Sequence, residues 1–278
     1  MVSVVIVAHN EESALGETLG ALLGDGNNAE VIVVPNGCSD GTADVARSFP
    51  GVHVIELDQG GKALALNAGD AVATSFPRVY LDADILVPAG ALQALEVALA
   101  EPGIVAAVPG RVLDTNGRPW PVRAYFAINE RLPVYRDGLF GRGMIALSEA
   151  GRGRFADFPL MVADDLFVDS LYSSAEKAHV DDVQVVVKTP LTTRDLYRRL
   201  IRVRRGTAAM RRASASGEIK VAVRPADRWA WLREVVAHDL RLLPAGIAYA
   251  AITLAAAAAA RRGPVNALDW GRDGSTRR

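Results

Sequence analysis

Hydrophobic and polar positions follow two alternating rhythms over the first hundred residues. Val2–Ala8 is a β-branched apolar run of the kind that forms a strand buried on both faces. Glu11–Leu23 then places Leu15, Leu19, Leu22 and Leu23 at helical spacing. Val31–Val34 predicts a second strand. Ser39-Asp40-Gly41-Thr42 predicts a capped turn into a short helix over Ala43–Arg47, and Val52–Leu57 a third strand. Gly60-Gly61 opens a helix through Leu64, Leu66 and Ala68. Arg78–Leu81 is a fourth strand, Pro88 starts a helix over Ala89–Ala100, and Ile104–Val108 is a fifth strand. This order predicts an α/β fold with a mostly parallel sheet flanked by helices.

After Gly110 the pattern loosens. Pro121–Tyr135 predicts a helix with a mixed surface, and Gly141-Arg142-Gly143 precedes the short apolar run Met144–Leu147. Val162–Ser173 predicts a helix beginning near Ala163-Asp164-Asp165, and Val183–Val187 a strand. Thr192–Arg212 predicts a long basic helix with a break at Gly206. Leu242–Ala260 is 19 residues without a charge, which reaches the lower bound for a membrane span. Its alanine content, with Pro244 and Gly246, favours a packed or interfacial helix over a span. Beyond Pro264 the pattern predicts a frayed end. No internal repeat is present.

A chain of 278 residues, half of them hydrophobic, supports one large domain with or without an appendage. A net charge of −1 gives no global attraction to nucleic acid. The charge is uneven, however: Arg194–Arg212 holds eight arginines against one carboxylate, Asp195. Such a run forms a solvated helical face, or places guanidinium groups on phosphate or anionic lipid. The single cysteine, Cys38, excludes an internal disulfide framework and reads as a small buried residue. With no basic leader or cleavage site after Met1, the expected location is the cytoplasm, at the inner face of a membrane if the apolar tail attaches there.

The chemistry begins with Asp82-Ala83-Asp84, directly after Val79-Tyr80-Leu81. Two carboxylates at the C-terminal end of a strand stand where open α/β sheets bind ligands. A hard divalent cation is commonly held by one or two carboxylates plus substrate phosphates. Asn10 and Glu11 leave the first strand, where they either bond a ribose or base or cap the next helix. Asn36 ends the second strand with a donor and an acceptor suited to a base edge. Gly60-Gly61-Lys62 stands at a helix start, where backbone N–H groups and a lysine favour a diphosphate; the Walker spacing is absent. Asp164-Asp165 is either a pair of helix caps or a general base with a neighbour that orients the acceptor. Trp229 and Trp231 either stack on a sugar ring or pack between helices.

Taken in order, Val2–Glu12, Val31–Thr42, Gly60–Gly69, Leu81-Asp82-Ala83-Asp84 and Ala163-Asp164-Asp165 resemble the family 2 glycosyltransferases, which have the GT-A fold. Arg202-Val203-Arg204-Arg205-Gly206 occupies the place of that family's Gln-x-x-Arg-Trp-type segment. The resemblance covers residues 1–212, with a nucleotide-binding half (1–110) and an acceptor half (111–212); residues 213–278 form a helical extension. It implies an inverting transfer of a sugar from a nucleotide-diphosphate sugar to an acceptor hydroxyl, soluble or lipid-linked, with Mg²⁺ or Mn²⁺ as cofactor and no nucleic-acid partner. Such transfers serve cell-envelope glycan, glycolipid or secondary-metabolite synthesis.

By the same resemblance Ala8, Asn10, Glu11, Asn36, Asp40, Lys62 and Asp82 line the nucleotide site, and Asp84 with Asp82 ligates the metal. Asp165, or alternatively Asp164, is the base, and Arg202, Arg205 and Gly143 face the diphosphate or the acceptor. Asn36 stands where the family commonly has Asp, Asp164 where it has Glu, and the Gln-x-x-Arg-Trp segment is degenerate. The first leaves uridine, guanosine and thymidine donors open, the second leaves the catalytic base open between Asp164 and Asp165, and the third, with one candidate apolar span, argues against a multi-span polymerase; the donor sugar is not read from these residues. A sugar-phosphate nucleotidyltransferase would need a glycine-rich, arginine-containing loop after the first strand, which His9–Ala14 lacks. A non-catalytic nucleotide-binding relative is the other alternative.

Overall fold

Val2–Ala8 forms β1, with all seven residues buried, and the computed structural model, which describes residues 1–26 and 28–262, builds the molecule around it. The other strands are β2 (Ala29–Pro35), β3 (Val52–Val54), β4 (Arg78–Asp82), β5 (Ala106–Asp114), β6 (Met144–Leu147) and β7 (Lys177–Lys188). The helices are α1 (Glu12–Gly24), α2 (Thr42–Arg47), α3 (Lys62–Val72), α4 (Ala91–Ala100), α5 (Trp120–Asn129), α6 (Pro133–Arg136), α7 (Glu149–Arg152), α8 (Asp164–Ser170), α9 (Thr193–Ala215) and α10 (Leu243–Ala260). Together the strands make one seven-stranded sheet in the order β3-β2-β1-β4-β6-β5-β7. Strands β1 to β4 run parallel, β6 runs antiparallel to both neighbours, and β5 pairs in parallel with β7.

Alternation along β1 splits the core into two layers. Val4 and Ile6 pack toward Leu15, Leu19 and Leu22 of α1 and Leu92 and Leu95 of α4. Val5 and Val7 pack toward Leu66 of α3 and Leu166 and Phe167 of α8. Each fully buried leucine contributes about 1.5–3 kcal/mol over its exposed state. The helices on both faces therefore fix the strand ends that carry the acidic pairs.

Several elements differ from their sequence expectations. The stretch 121–135 is two helices, because Pro133 lacks an N–H and holds Leu132 extended (ψ 135°). Helix α9 is continuous through Gly206, where a break was expected. That glycine is buried against the chain just before α8; a Cβ there would lie 2.7 Å from the Val162 carbonyl oxygen. Strands β5 and β7 are longer than their apolar runs, and they pair with a register shift between Pro109 and Gly110. Strand β3 is shorter, and Leu57 joins the sheet only through a bridge to Asn36. Positions 110/111 lie inside β5 and 212/213 inside α9. Cys38 is half-buried, not buried. The expected fraying beyond Pro264 lies outside the described residues.

Helix α10 packs on α5 and α9 through Tyr249, Ile252 and their neighbours. The opposite side leaves Leu240, Leu243, Ile247 and Leu254 exposed. The segment Leu240–Ala260 has a mean hydropathy of 1.8 and is long and apolar enough to cross a membrane by length and composition.

Candidate active site

Burial alternates from β4 into the turn that follows it. Leu81, Ala83, Ile85 and Val87 are buried in the core, so Asp82 and Asp84 face the other way, into a cleft of about 1460 Å³. The turn is pinned at three points. The Thr18 hydroxyl donates to the Ala83 carbonyl (2.8 Å), the Asp82 N–H to the Gly143 carbonyl (2.8 Å), and the Ile85 N–H to the Asp82 carbonyl (3.2 Å). Gly143 has φ +65°, and a Cβ there would meet Ile85 at 2.5 Å and an Asp82 oxygen at 3.1 Å. Glycine is therefore required both by the backbone and by the closeness of the acid.

The second acidic pair enters the same cleft from α8. Ala163 adopts φ +104°, unusual for a residue with a Cβ, and turns the chain so that Asp164 and Asp165 open the helix at the cleft wall. Lys62, the first residue of α3, joins the two pairs. Its Nζ lies 2.9 Å from Asp82 Oδ1 and 3.0 Å from Asp164 Oδ2. Burial works against the Lys62 ammonium, but the carboxylates of Asp164 and Asp82 outweigh it and hold the pKa above the usual lysine value. Asp165 is affected in the opposite sense. Burial, and then the adjacent Asp164 charge, pushes its carboxyl up to about 6, against the pull of Lys62 and the N–H of Leu166.

The residues proposed for the nucleotide loops separate into two groups. Glu11 and Lys62 line the cleft with Asp82 and Asp84, as do Gly143 and Arg202. Asn36 is buried and does not. Its amide donates to the carbonyls of Ala8 (2.9 Å) and Val34 (3.3 Å), and its oxygen accepts from Gly61 N–H (2.9 Å). Asn36 thus clamps the ends of β1 and β2 to the turn before α3, and the Gly61 N–H expected to face an anion is already bonded. Asp40, before the Gly41 that caps α2, accepts from the Thr42 N–H (3.1 Å) and hydroxyl. Asn10, at φ +55°, accepts from the Ser39 N–H (2.7 Å). Ala8 is fully buried in β1, and Arg205 donates to the Ala260 carbonyl of α10 at 3.4 Å. These five positions shape or flank the site without forming the cleft wall.

His9 lines the cleft and donates from Nδ1 to the Asn36 carbonyl (2.7 Å). Trp229 and Trp231 both line the cleft; Trp229 is exposed, and Trp231 also packs on Gly246 and Tyr249. The far wall carries Arg111 of β5, which the sequence reading did not single out. The signal available was an arginine followed by the apolar pair Val112-Leu113, just past the expected strand.

Among the described residues no three His, Cys, Asp or Glu side chains converge as a complete metal cage. Oxygen-only donors in pairs, bridged here by a lysine ammonium, fit a hard cation completed by phosphate oxygens better than a permanently held ion.

The model of the glycosyl transferase family 2 matches residues 3–150. No curated protein matches the sequence. Among solved structures, a mannosyltransferase from Pyrobaculum calidifontis in complex with GDP-Man and Mn²⁺ superposes with a TM-score of 0.60 at 24% identity, over 95% of this chain and 76% of that one. Glucosyl-3-phosphoglycerate synthase from Mycobacterium tuberculosis with phosphoglyceric acid gives 0.54 at 18% identity, over 82% and 87%. S. aureus TarS with UDP gives 0.52 at 15% identity, over 95% and 92%. The sheet and its flanking helices are thus a GT-A-like α/β fold.

Proposed function

The chain belongs to glycosyl transferase family 2, and from that premise we propose that it moves a sugar from a nucleotide-diphosphate sugar to an acceptor hydroxyl with inversion. The observation that carries this reading is the meeting of the Asp82 and Asp164 carboxylates on one lysine, which puts both acidic pairs in a single cleft. Asp84 with Asp82 would hold Mg²⁺ or Mn²⁺. When bound, the cation supplies Lewis-acid neutralisation of the departing diphosphate. Lys62 adds a positive charge beside that diphosphate, and Glu11 borders the nucleotide from the end of β1.

Asp165 takes the acceptor proton. As that proton moves to the carboxylate, the acceptor oxygen forms a bond to the anomeric carbon. The bond from that carbon to the diphosphate oxygen breaks, and its electron pair leaves with the nucleotide diphosphate. A carboxyl held at about 6 is ionised at neutral pH yet more basic than an exposed aspartate, which suits a general base. Asp164 stays paired to Lys62 and orients it. Turnover of a panel of nucleotide sugars by the wild-type chain, Asp84→Asn and Asp165→Asn tests the reading; full activity in both variants refutes it.

The apolar side of α10 supports a place for the protein on a lipid surface. Leu243, Ile247 and Leu254 are exposed on one side while the other packs on α5 and α9, and Arg241, Arg261 and Arg262 flank the helix. This arrangement fits a helix lying in the interface better than one crossing it. A lipid-linked acceptor would then reach the cleft from the membrane side.

A further inference from the structure

Arg111 of β5 and Arg199, Arg204 and Arg211 of α9 line the cleft. Among the described residues none of the four has a carboxylate within ion-pair distance. Among the described residues Arg111 bonds to neutral acceptors, the Gly141 carbonyl (3.3 Å) and Asn129 Oδ1 (3.4 Å), and its guanidinium lies 4.5 Å from the centre of the Tyr135 ring. Burial holds Arg111 below the usual arginine value; Tyr135 and Glu130 draw it back, and Arg199 pushes it down again. Arg204 Nε is buried without a hydrogen-bond partner. Among the described residues Arg211 donates to the Arg224 carbonyl at 3.3 Å, and burial followed by the charge of Arg204 lowers its pKa.

Desolvated guanidinium groups without anions are costly, so a cluster of them marks a place for an anion. The sheet order says which anion. The nucleotide side, with His9, Glu11 and Lys62, belongs to β1 and the helix after β3. Asp82 ends β4 at the centre, and β5 lies two strands beyond it on the opposite side. The cluster therefore flanks the reacting carboxylates from the side away from the nucleotide. Arginine forks match phosphate oxygens two at a time, and several cations in one place fit a doubly charged group better than a single carboxylate.

We propose that the acceptor is a phosphate ester, whose phosphate group binds Arg111, Arg199 and Arg204 while its hydroxyl faces Asp165. The inference rests on the reading of the cleft as the site of sugar transfer. A soluble phosphate ester and a lipid-linked phosphate present the same group, and two experimental arms separate them.

The full chain, saturated with UDP or GDP and Mn²⁺ so that the diphosphate site is filled, is titrated calorimetrically with inorganic phosphate, glycerol 3-phosphate and glycerol. In parallel it is sedimented with phosphatidylcholine vesicles with and without phosphatidic acid. The expected result is binding that requires the phosphate group, weakened at least tenfold in Arg111→Met and Arg204→Met and partly restored in Arg204→Lys. Nucleotide affinity, which also reports that the variants fold, should stay within twofold. Binding of glycerol 3-phosphate assigns the soluble source. Sedimentation that needs phosphatidic acid and is lost in the same variants assigns the lipid source. The proposal is overturned if phosphate binds in neither arm, if the methionine variants bind it as wild type does, or if they weaken nucleotide by the same factor. Should no nucleotide bind, the transfer reading fails by itself, and the same phosphate titrations run without nucleotide still report on the arginine cluster.

Discussion

Lys62 Nζ stands 2.9 Å from a carboxylate oxygen of Asp82 and 3.0 Å from one of Asp164, so one ammonium ties the strand-end acids to the helix-start acids. Its charge also lowers the pKa of Asp165. Replacing it, as in Lys62→Met, removes the ammonium that Asp82, Asp164 and Asp165 share. The Asp165 pKa must then rise, and the acidic limb of the pH–rate profile should move to higher pH. A profile of nucleotide-sugar turnover checks this; a limb that does not move, or moves to lower pH, contradicts it.

In the wild-type chain the Asp165 carboxyl sits at about 6, mainly because of burial and then the Asp164 charge. A base must be unprotonated. Turnover should therefore be low at pH 5, rise through about 6 and level off above 7. Asp165→Asn should lower turnover by about a hundred- to ten-thousand-fold and leave nucleotide affinity unchanged. Steady-state kinetics with a parallel nucleotide titration separates loss of chemistry from loss of binding.

Gly206 lets α9 touch Val162, two residues before Asp164. A valine there must displace either the helix or that segment. Gly206→Val should cost about 1–3 kcal/mol in urea unfolding, the usual range for overpacking. Turnover should fall as well, since the strained backbone at Ala163 that aims the acidic pair adjoins the contact. Unchanged stability would mean that α9 is free to shift.

Helix α10 exposes Leu243, Ile247 and Leu254 and ends at Arg261 and Arg262. The chain should float with vesicles containing anionic lipid. Ile247→Glu should abolish flotation, and neutralising Arg261 or Arg262 should weaken it by about 1 kcal/mol each. Flotation that is indifferent to all three changes would remove the interfacial role.

The sheet was legible because β1, β2 and β4 each hold a short apolar run and their ends carry turn residues or acids at strand tips. The acidic pairs were legible for the same reason: Asp82 and Asp84 alternate with buried Ala83 and Ile85. Asn36 illustrates what local pattern leaves out. Its side chain bonds to Ala8, Val34 and Gly61, the last of them 25 residues away, and no spacing in the sequence announces that clamp. Gly206 read as a helix break because propensity is local, while its contact with Val162 is tertiary. Arg111 passed unnoticed because β5 runs past its apolar stretch, held by pairing with β7.

Titration of UDP, GDP and dTDP into the wild-type chain and Asp84→Asn, with and without Mn²⁺, tests the central claim most directly. At least one nucleotide should bind the wild type at least tenfold more tightly when Mn²⁺ is present, and Asp84→Asn should lose that gain while melting at an unchanged temperature. Equal tightening by Mn²⁺ in both proteins, or no binding of any of the three nucleotides, would contradict the account.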